Sequence, residues 1–351
     1  MNKIATRSTL IILFVTATAS MIMNACKKTD GDQLQRTSPL SFTIPKGFPP
    51  PFYQFTNNPL TQERFDLGKK LFYDGRLSKD GNFPCASCHQ QSAAFATFDH
   101  DLSHGFNNQF TTRNAPGLFN MAWHKELHWD GGINHIEVQP LAPITAANEM
   151  AEDINSVISK LQADPKYRRM FKLAYGDETI NSQRMLLSIT QFVSLMVSGD
   201  SKYDKMKAGK ATFNVYEESG YKLFQAKCAS CHQEPLFTDF TYRNNGLKMN
   251  AFLKDFGRMR ITNQKEDSLK FKVPSLRNIF QTFPYAHDGR FNSINQVLDH
   301  YSTGIQDSPS LDPLLKNKIP LNATEKFYLV QFLATLTDST FINDKRFAEQ
   351  Q

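Results

Sequence analysis

The sequence predicts an all-α chain of two similar halves, each led by a helix and continued by long irregular loops. Three observations carry that prediction. Apolar residues recur at helical spacing, and no segment alternates strongly enough to mark a strand. A short pattern occurs twice: Gly68-Lys69-Lys70-Leu71-Phe72 and Gly220-Tyr221-Lys222-Leu223-Phe224 each precede a Cys-Ala-Ser-Cys-His-Gln run. Stretches 74–123 and 234–290 are rich in Gly, Asn, Pro and aromatics, and loops of that length need something to organise them.

In each copy of the pattern, Gly and Phe four residues apart share one helix face. The glycine permits close approach of a second helix, and the phenylalanine can pack on it. The first copy has a longer insertion, Asp74 to Pro84, before its cysteines. Ser182 to Ser198 places Met185, Ile189, Phe192, Val193, Met196 and Val197 at helical spacing, with Gly199 as a C-cap. Ser293 to Tyr301 is a short amphipathic helix carrying Ile294, Val297, Leu298 and Tyr301. Asn322 to Leu336 is another, capped by Asn322 or Thr324.

The 351 residues suffice for two domains, and 40% hydrophobic with 21% charged residues is an ordinary globular balance. A net charge of +6 without any Lys/Arg block argues against nucleic acid as a partner. Residues 1–25 read as an export signal: Lys3 and Arg7, the apolar run Leu10 to Val15, then Asn24-Ala25-Cys26. A small residue before Cys26 resembles a bacterial lipoprotein signal, which puts the protein in the periplasm or cell envelope, with a lipid on Cys26 holding it to the membrane. An ordinary cleaved signal and a short uncleaved anchor are the alternatives. Residues 26–46 are polar and aperiodic and read as a flexible tether.

Four of the five cysteines lie in Cys85-Ala86-Ser87-Cys88-His89 and Cys228-Ala229-Ser230-Cys231-His232, and the fifth is Cys26. None is left for a structural disulfide. In such a motif two thiols form thioethers with haem vinyls, and the adjacent histidine is held against the iron. A zinc site or a redox dithiol is the competing reading, and the trailing histidine in both copies argues against it. The chain is therefore expected to carry two covalently bound haem c groups. They hang on Cys85, Cys88 and His89, and on Cys228, Cys231 and His232, in two cytochrome c-like haem domains with long irregular loops. The sixth ligand decides the rest: an open iron reacts with small oxygen species, and two strong protein ligands make an electron-transfer site.

Blocks outside the haem motifs then resemble the bacterial di-haem cytochrome c peroxidase and MauG family over roughly residues 47–340. They are Arg113-Asn114-Ala115-Pro116, Trp129-Asp130-Gly131, Gln139 through Pro143 to Glu149-Met150, Val273-Pro274-Ser275-Leu276-Arg277-Asn278 and Pro284-Tyr285-Ala286-His287-Asp288-Gly289. The resemblance implies an N-terminal peroxidatic haem domain, 47–205, and a C-terminal electron-transfer haem domain, 206–345. It implies a cytochrome-c peroxidase-type enzyme that reduces hydrogen peroxide with electrons from a small cytochrome c or cupredoxin, and it admits a homodimer.

Glu149 falls on the family's distal acid–base glutamate, Gln139 on a distal amide, and Trp129 on the tryptophan between the haems. That indole could relay an electron or hold a haem propionate through its N–H. Taken alone, Glu149 could equally be a helix N-terminal acid and Trp129 a core aromatic. Asn114, Thr282 and Pro284 match an inter-domain Ca2+ site, the last two through main-chain carbonyls. Tyr301 stands where peroxidases place the axial methionine of the second haem and MauG-like members a tyrosine. If Tyr301 is only a core residue, Met206, Met249 and Met259 are alternative ligands. His104 lies near a displaceable distal histidine of many peroxidases, and its ligation would close the first iron. His287 reads as a residue near the second haem, and His100, His124, His128 and His135 as surface or propionate-side residues. The competing functions are MauG-like oxidation of a protein side chain and pure electron transfer between closed haems.

Overall fold

A computed structural model describes residues 37–98 and 100–349, so the signal segment 1–25 and Cys26 lie outside the described residues. The fold is helical, with one small antiparallel pair, β1 (Tyr242–Arg243) and β2 (Phe271–Lys272). Its main helices are α1 (Gln62–Phe72), α2 (Ile154–Ala163), α3 (Pro165–Tyr175), α4 (Ser182–Ser194), α5 (Lys202–Lys207), α6 (Val215–Lys227), α7 (Ile294–Asp299) and α8 (Ala323–Ala334). Local chemistry sets their ends. Asn214 with Glu217 and Asn322 with Glu325 form reciprocal capping boxes at α6 and α8. Asp164 caps α3 with Pro165 in its first turn, and Gly176 closes it at φ +89°.

The repeated pattern produces the same packing twice. α1 crosses α4, and α6 crosses α8. A Cβ added to Gly68 would lie 1.9 Å from the Ser188 carbonyl oxygen, and one on Gly220 would lie 2.0 Å from that of Tyr328. Phe72 then meets Phe192 at 5.2 Å between ring centroids, and Phe224 meets Phe332 at 5.0 Å. Each crossing seeds an apolar cluster: one around Phe72, Phe95 and Phe192, the other around Phe224, Phe237 and Phe332. The tail from Ser339 to Phe347 returns to the first, where Phe341 and Phe347 are buried.

Two expectations shift. The helix expected to Ser198 stops at Ser194, because Asp338 draws the chain out: its carboxylate accepts from the backbone N–H of Gly199 and Asp200 at 2.8 and 2.9 Å and from the Ser198 hydroxyl at 3.0 Å. In the tether 26–46, the chain is fastened from Ser38 onward. Leu40 donates to the Leu60 carbonyl at 3.0 Å, and Leu40 and Phe42 pack on the first cluster. Those two apolar side chains outweigh the polar composition around them. No helix among the described residues is long and apolar enough to cross a membrane.

Candidate functional site

Each Cys-Ala-Ser-Cys-His run closes on itself through a backbone bond. His89 donates its N–H to the Cys85 carbonyl and His232 to the Cys228 carbonyl, both at 3.0 Å. The imidazoles are fixed in matching ways. His89 Nδ1 lies 2.8 Å from the Phe95 carbonyl, and His232 Nδ1 lies 3.2 and 3.1 Å from the Phe237 and Pro274 carbonyls. Carbonyls only accept, so Nδ1 carries the proton and Nε2 keeps its lone pair for a metal. Phe95 and Phe237 are fully buried and have left-handed backbones, φ +59° and +55°. That conformation costs on the order of 1–3 kcal/mol in a non-glycine residue. Here it turns both carbonyls towards the histidines.

Burial holds both imidazoles below their ordinary pKa and pushes the Cys85 and Cys228 thiols up to about 12. The four cysteine residues are nevertheless only half-buried. Desolvated thiols on incompletely buried residues suit a broad planar ligand that bonds at its edge. Two thiols and one neutral imidazole on each run fit a c-type haem.

Glu149 follows a short helix, Leu141–Thr145, and Gln139 precedes it on the turn. The Glu149 backbone is clamped: its N–H donates to the Ala146 carbonyl at 3.0 Å, and its carbonyl accepts from Phe106 N–H at 2.6 Å. Burial raises the Cys88 thiol, and the half-buried Glu149 carboxyl lies close enough to add to that shift. Desolvation lifts the carboxyl above the ordinary range, and no hydrogen bond from the described residues reaches it. Gln139 has no side-chain partner among them either. Gly105 packs directly on Asn148 and Glu149, where a Cβ would meet backbone atoms at 2.3–2.6 Å. His104 beside it bonds Asn108 Oδ1 through Nδ1 at 2.9 Å and packs against Phe110 at 4.4 Å.

Tyr301 lies in a π-helical turn, His300–Gly304, that continues α7. Such turns recur at functional positions because they rotate one side chain off the helix register. The phenol shares its surroundings with the Cys228 and Cys231 thiols, and burial pushes it up to about 12 against a favourable Asn245 contact. His300 Nε2 bonds the Asn245 carbonyl at 2.9 Å and steadies the turn. Met249 is exposed, and Met206 packs on the second cluster.

Trp129, Asn114 and the 282–287 segment meet at a seam between the halves. Trp129 Nε1–H donates to the Asn114 carbonyl at 2.8 Å, so that donor is already engaged and is not the one to hold a propionate. Asn114 N–H donates to the His287 carbonyl at 2.8 Å, and its Nδ2 donates to the Asp101 carbonyl at 3.1 Å. That bond brings Asn114 to the segment holding Thr282 and Pro284. Its Oδ1 has no donor among the described residues, and the Oε1 of Gln281, which precedes Thr282, is buried without one. His287 is part of this seam: it is buried and stacked on Phe271 at 3.7 Å. His124 and His128 are buried or half-buried near Lys272, and His135 is exposed.

The di-haem cytochrome c peroxidase pattern matches residues 62–212. The methylamine utilization protein MauG of Methylorubrum extorquens is 35% identical over 80% of this chain and 79% of its own length. The cytochrome c551 peroxidase of Nitrosomonas europaea is 33% identical over 80% and 81%. The chain belongs to the di-haem cytochrome c peroxidase family. The crystal structure of a MauG-like protein associated with microbial copper homeostasis superposes with a TM-score of 0.80 at 34% identity, over 88% of this chain and 99% of that one. Membership makes this chain a peroxidase-type oxidoreductase with two c-type haems.

Sequence reasoning did not single out Asn245, Phe95, Phe237 or the Arg113–Asp255 pair. A signal for the phenylalanines existed: each follows the histidine of its run, by six residues in the first and five in the second. Asn245 and Asp255 gave none, since their partners lie far away in sequence.

Proposed function

We propose that this protein reduces hydrogen peroxide to water at the N-terminal haem, held by Cys85, Cys88 and His89, with Glu149 as the acid–base group. The observation that carries this reading is the Glu149 carboxyl: half-buried, lifted by desolvation, without a hydrogen bond from the described residues and near Cys88. The haem that Cys85, Cys88 and His89 would hold would supply the redox-active iron for peroxide reduction. Glu149 accepts the proton from one peroxide oxygen and returns it to the other, so that the O–O bond breaks with water as the leaving group. Gln139 has a free amide to orient peroxide. Two electrons and two protons complete the conversion to two waters. The electrons would come from a small cytochrome c or cupredoxin, and Cys228, Cys231, His232 and Tyr301 would hold the second haem that receives them.

The working division is a peroxidatic domain, 47–205, and an electron-transfer domain, 206–345, with Trp129 between them. A Ca2+ ion at Asn114 Oδ1 and the Thr282 and Pro284 carbonyls would be held by oxygen donors only, as a hard cation requires. A lipid on Cys26 places the enzyme on the periplasmic side of the envelope. Glu149→Gln should lower peroxide turnover by roughly 10²–10⁴-fold with both haems still attached; unchanged turnover would remove Glu149 from the mechanism. A second reading, MauG-like oxidation of a protein side chain, is favoured by one feature, Tyr301 beside the second thiol pair. An anionic oxygen ligand favours ferric and higher states. Tyr301→Met should therefore raise the second haem's potential and abolish any such oxidation while peroxide still reacts.

A further inference from the structure

Two dipeptides of the first half face each other at the seam. Asn114 accepts from the Trp129 indole at 2.8 Å, and Arg113 donates through NH1 to Asp130 Oδ2 at 2.6 Å. The other edge of the same guanidinium is bound by a carboxylate from the second half: Arg113 Nε to Asp255 Oδ2 at 2.6 Å and NH2 to Oδ1 at 2.9 Å. Asp255 is 3% exposed, and its Oδ1 also accepts from Gly257 N–H at 2.9 Å. The second half grips the indole's own backbone as well: Lys272 N–H donates to the Trp129 carbonyl at 2.7 Å and Arg258 NH1 to that of Asp130 at 3.0 Å.

A guanidinium is a rigid planar fork, and a bidentate carboxylate fixes its plane. Here that plane sets the direction of the bond to Asp130, and Asp130 is the next residue after Trp129. We propose that Asp255 is a positioning residue for Trp129, acting through Arg113 and Asp130 to hold the indole in the geometry that couples the two haems. The proposal rests on Trp129 as the residue through which the haems communicate. Without Asp255, the half-buried guanidinium keeps one carboxylate and is free to swing towards it, and the Trp129–Asp130 pair moves with it.

The test uses the di-haem holoprotein without peroxide, so it stands apart from the proposed reaction. One electron is placed on the protein by flash photoreduction, and its redistribution between the haems is timed. In parallel, ultraviolet resonance Raman reads the hydrogen bond of the Trp129 indole, isolated by subtracting Trp129→Phe, since Trp123 is the only other tryptophan. Asp255→Asn should slow redistribution by roughly 10- to 100-fold and weaken the indole bond. In a Trp129→Phe background the same substitution should change the rate no further, because a double-mutant cycle cancels an effect that runs through the deleted side chain. An unchanged rate and band in Asp255→Asn with both haems attached would overturn the proposal. So would equal slowing in the Trp129→Phe background. If Trp129→Phe itself leaves the rate unchanged, the relay role of Trp129 fails, and the proposal with it, whatever the Raman band then says of indole orientation. Should Asp255→Asn not accumulate, Arg113→Lys replaces it: the charge remains but the planar fork is lost, and the same slowing is expected.

Discussion

At the scale of single residues, the account depends on unequal surroundings for chemically similar groups. Glu149 has no donor among the described residues to stabilise its charge, and burial lifts its pKa above the ordinary carboxylate value. Peroxide turnover needs it ionised, so the acid limb of the rate profile should lie above the ordinary carboxylate range and vanish in Glu149→Gln. A limb that survives the substitution belongs to another group. Tyr301 supports a second prediction. If its oxygen ligates, Tyr301→Phe should alter the ferric spectrum of the second haem and leave the first unchanged; an unaltered spectrum excludes ligation. The cysteines and ligand histidines are legible from sequence because their spacing is itself the chemistry. Glu149 becomes legible only through a family pattern, since a lone glutamate after a short helix carries no local sign of desolvation.

At the scale of elements, the duplicated crossing makes a symmetrical prediction. Gly68→Ala and Gly220→Ala each drive a methyl into a facing carbonyl, and helix backbones cannot yield by an ångström without losing the Phe72–Phe192 or Phe224–Phe332 contacts. Each should cost on the order of 3 kcal/mol in denaturant unfolding of the holoprotein, and a cost below about 1 kcal/mol would mean that the helices part easily. The seam titrates at its histidine: burial holds His287 at about 4 rather than 6.5. Between those values the unfolded chain takes the proton and the folded one does not. The stability contributed by His287 therefore falls as pH drops from 6.5 to 4, by about 3 kcal/mol, and this contribution changes no further below that. His287→Gln should flatten this slope. The Gly and Phe of each leading helix were readable because the signal spans one turn. The early end of α4 was not, because its cause is Asp338, 138–140 residues away.

At the scale of the whole chain, two repeated helix crossings build two apolar clusters, and each carries a haem-binding run with its histidine fixed by a strained phenylalanine carbonyl. The repeat made that duplication visible in sequence. What differentiates the halves was not visible in local patterns: Glu149 and Gln139 flank one short helix, while a π-turn presents Tyr301 to the other thiol pair. The contacts that join the halves, such as Arg113 with Asp255, span 142 residues and leave no periodic trace. The central claim is that the two haem runs are chemically unequal and that peroxide reacts at the first. Stopped-flow mixing of reduced holoprotein with peroxide, with the two haems resolved by their spectra, tests it most directly. The account predicts that the His89-ligated haem changes first and the His232-ligated haem follows as it yields its electron; reaction beginning at the His232-ligated haem, or no spectral reaction from either the reduced or the oxidised protein, would contradict it.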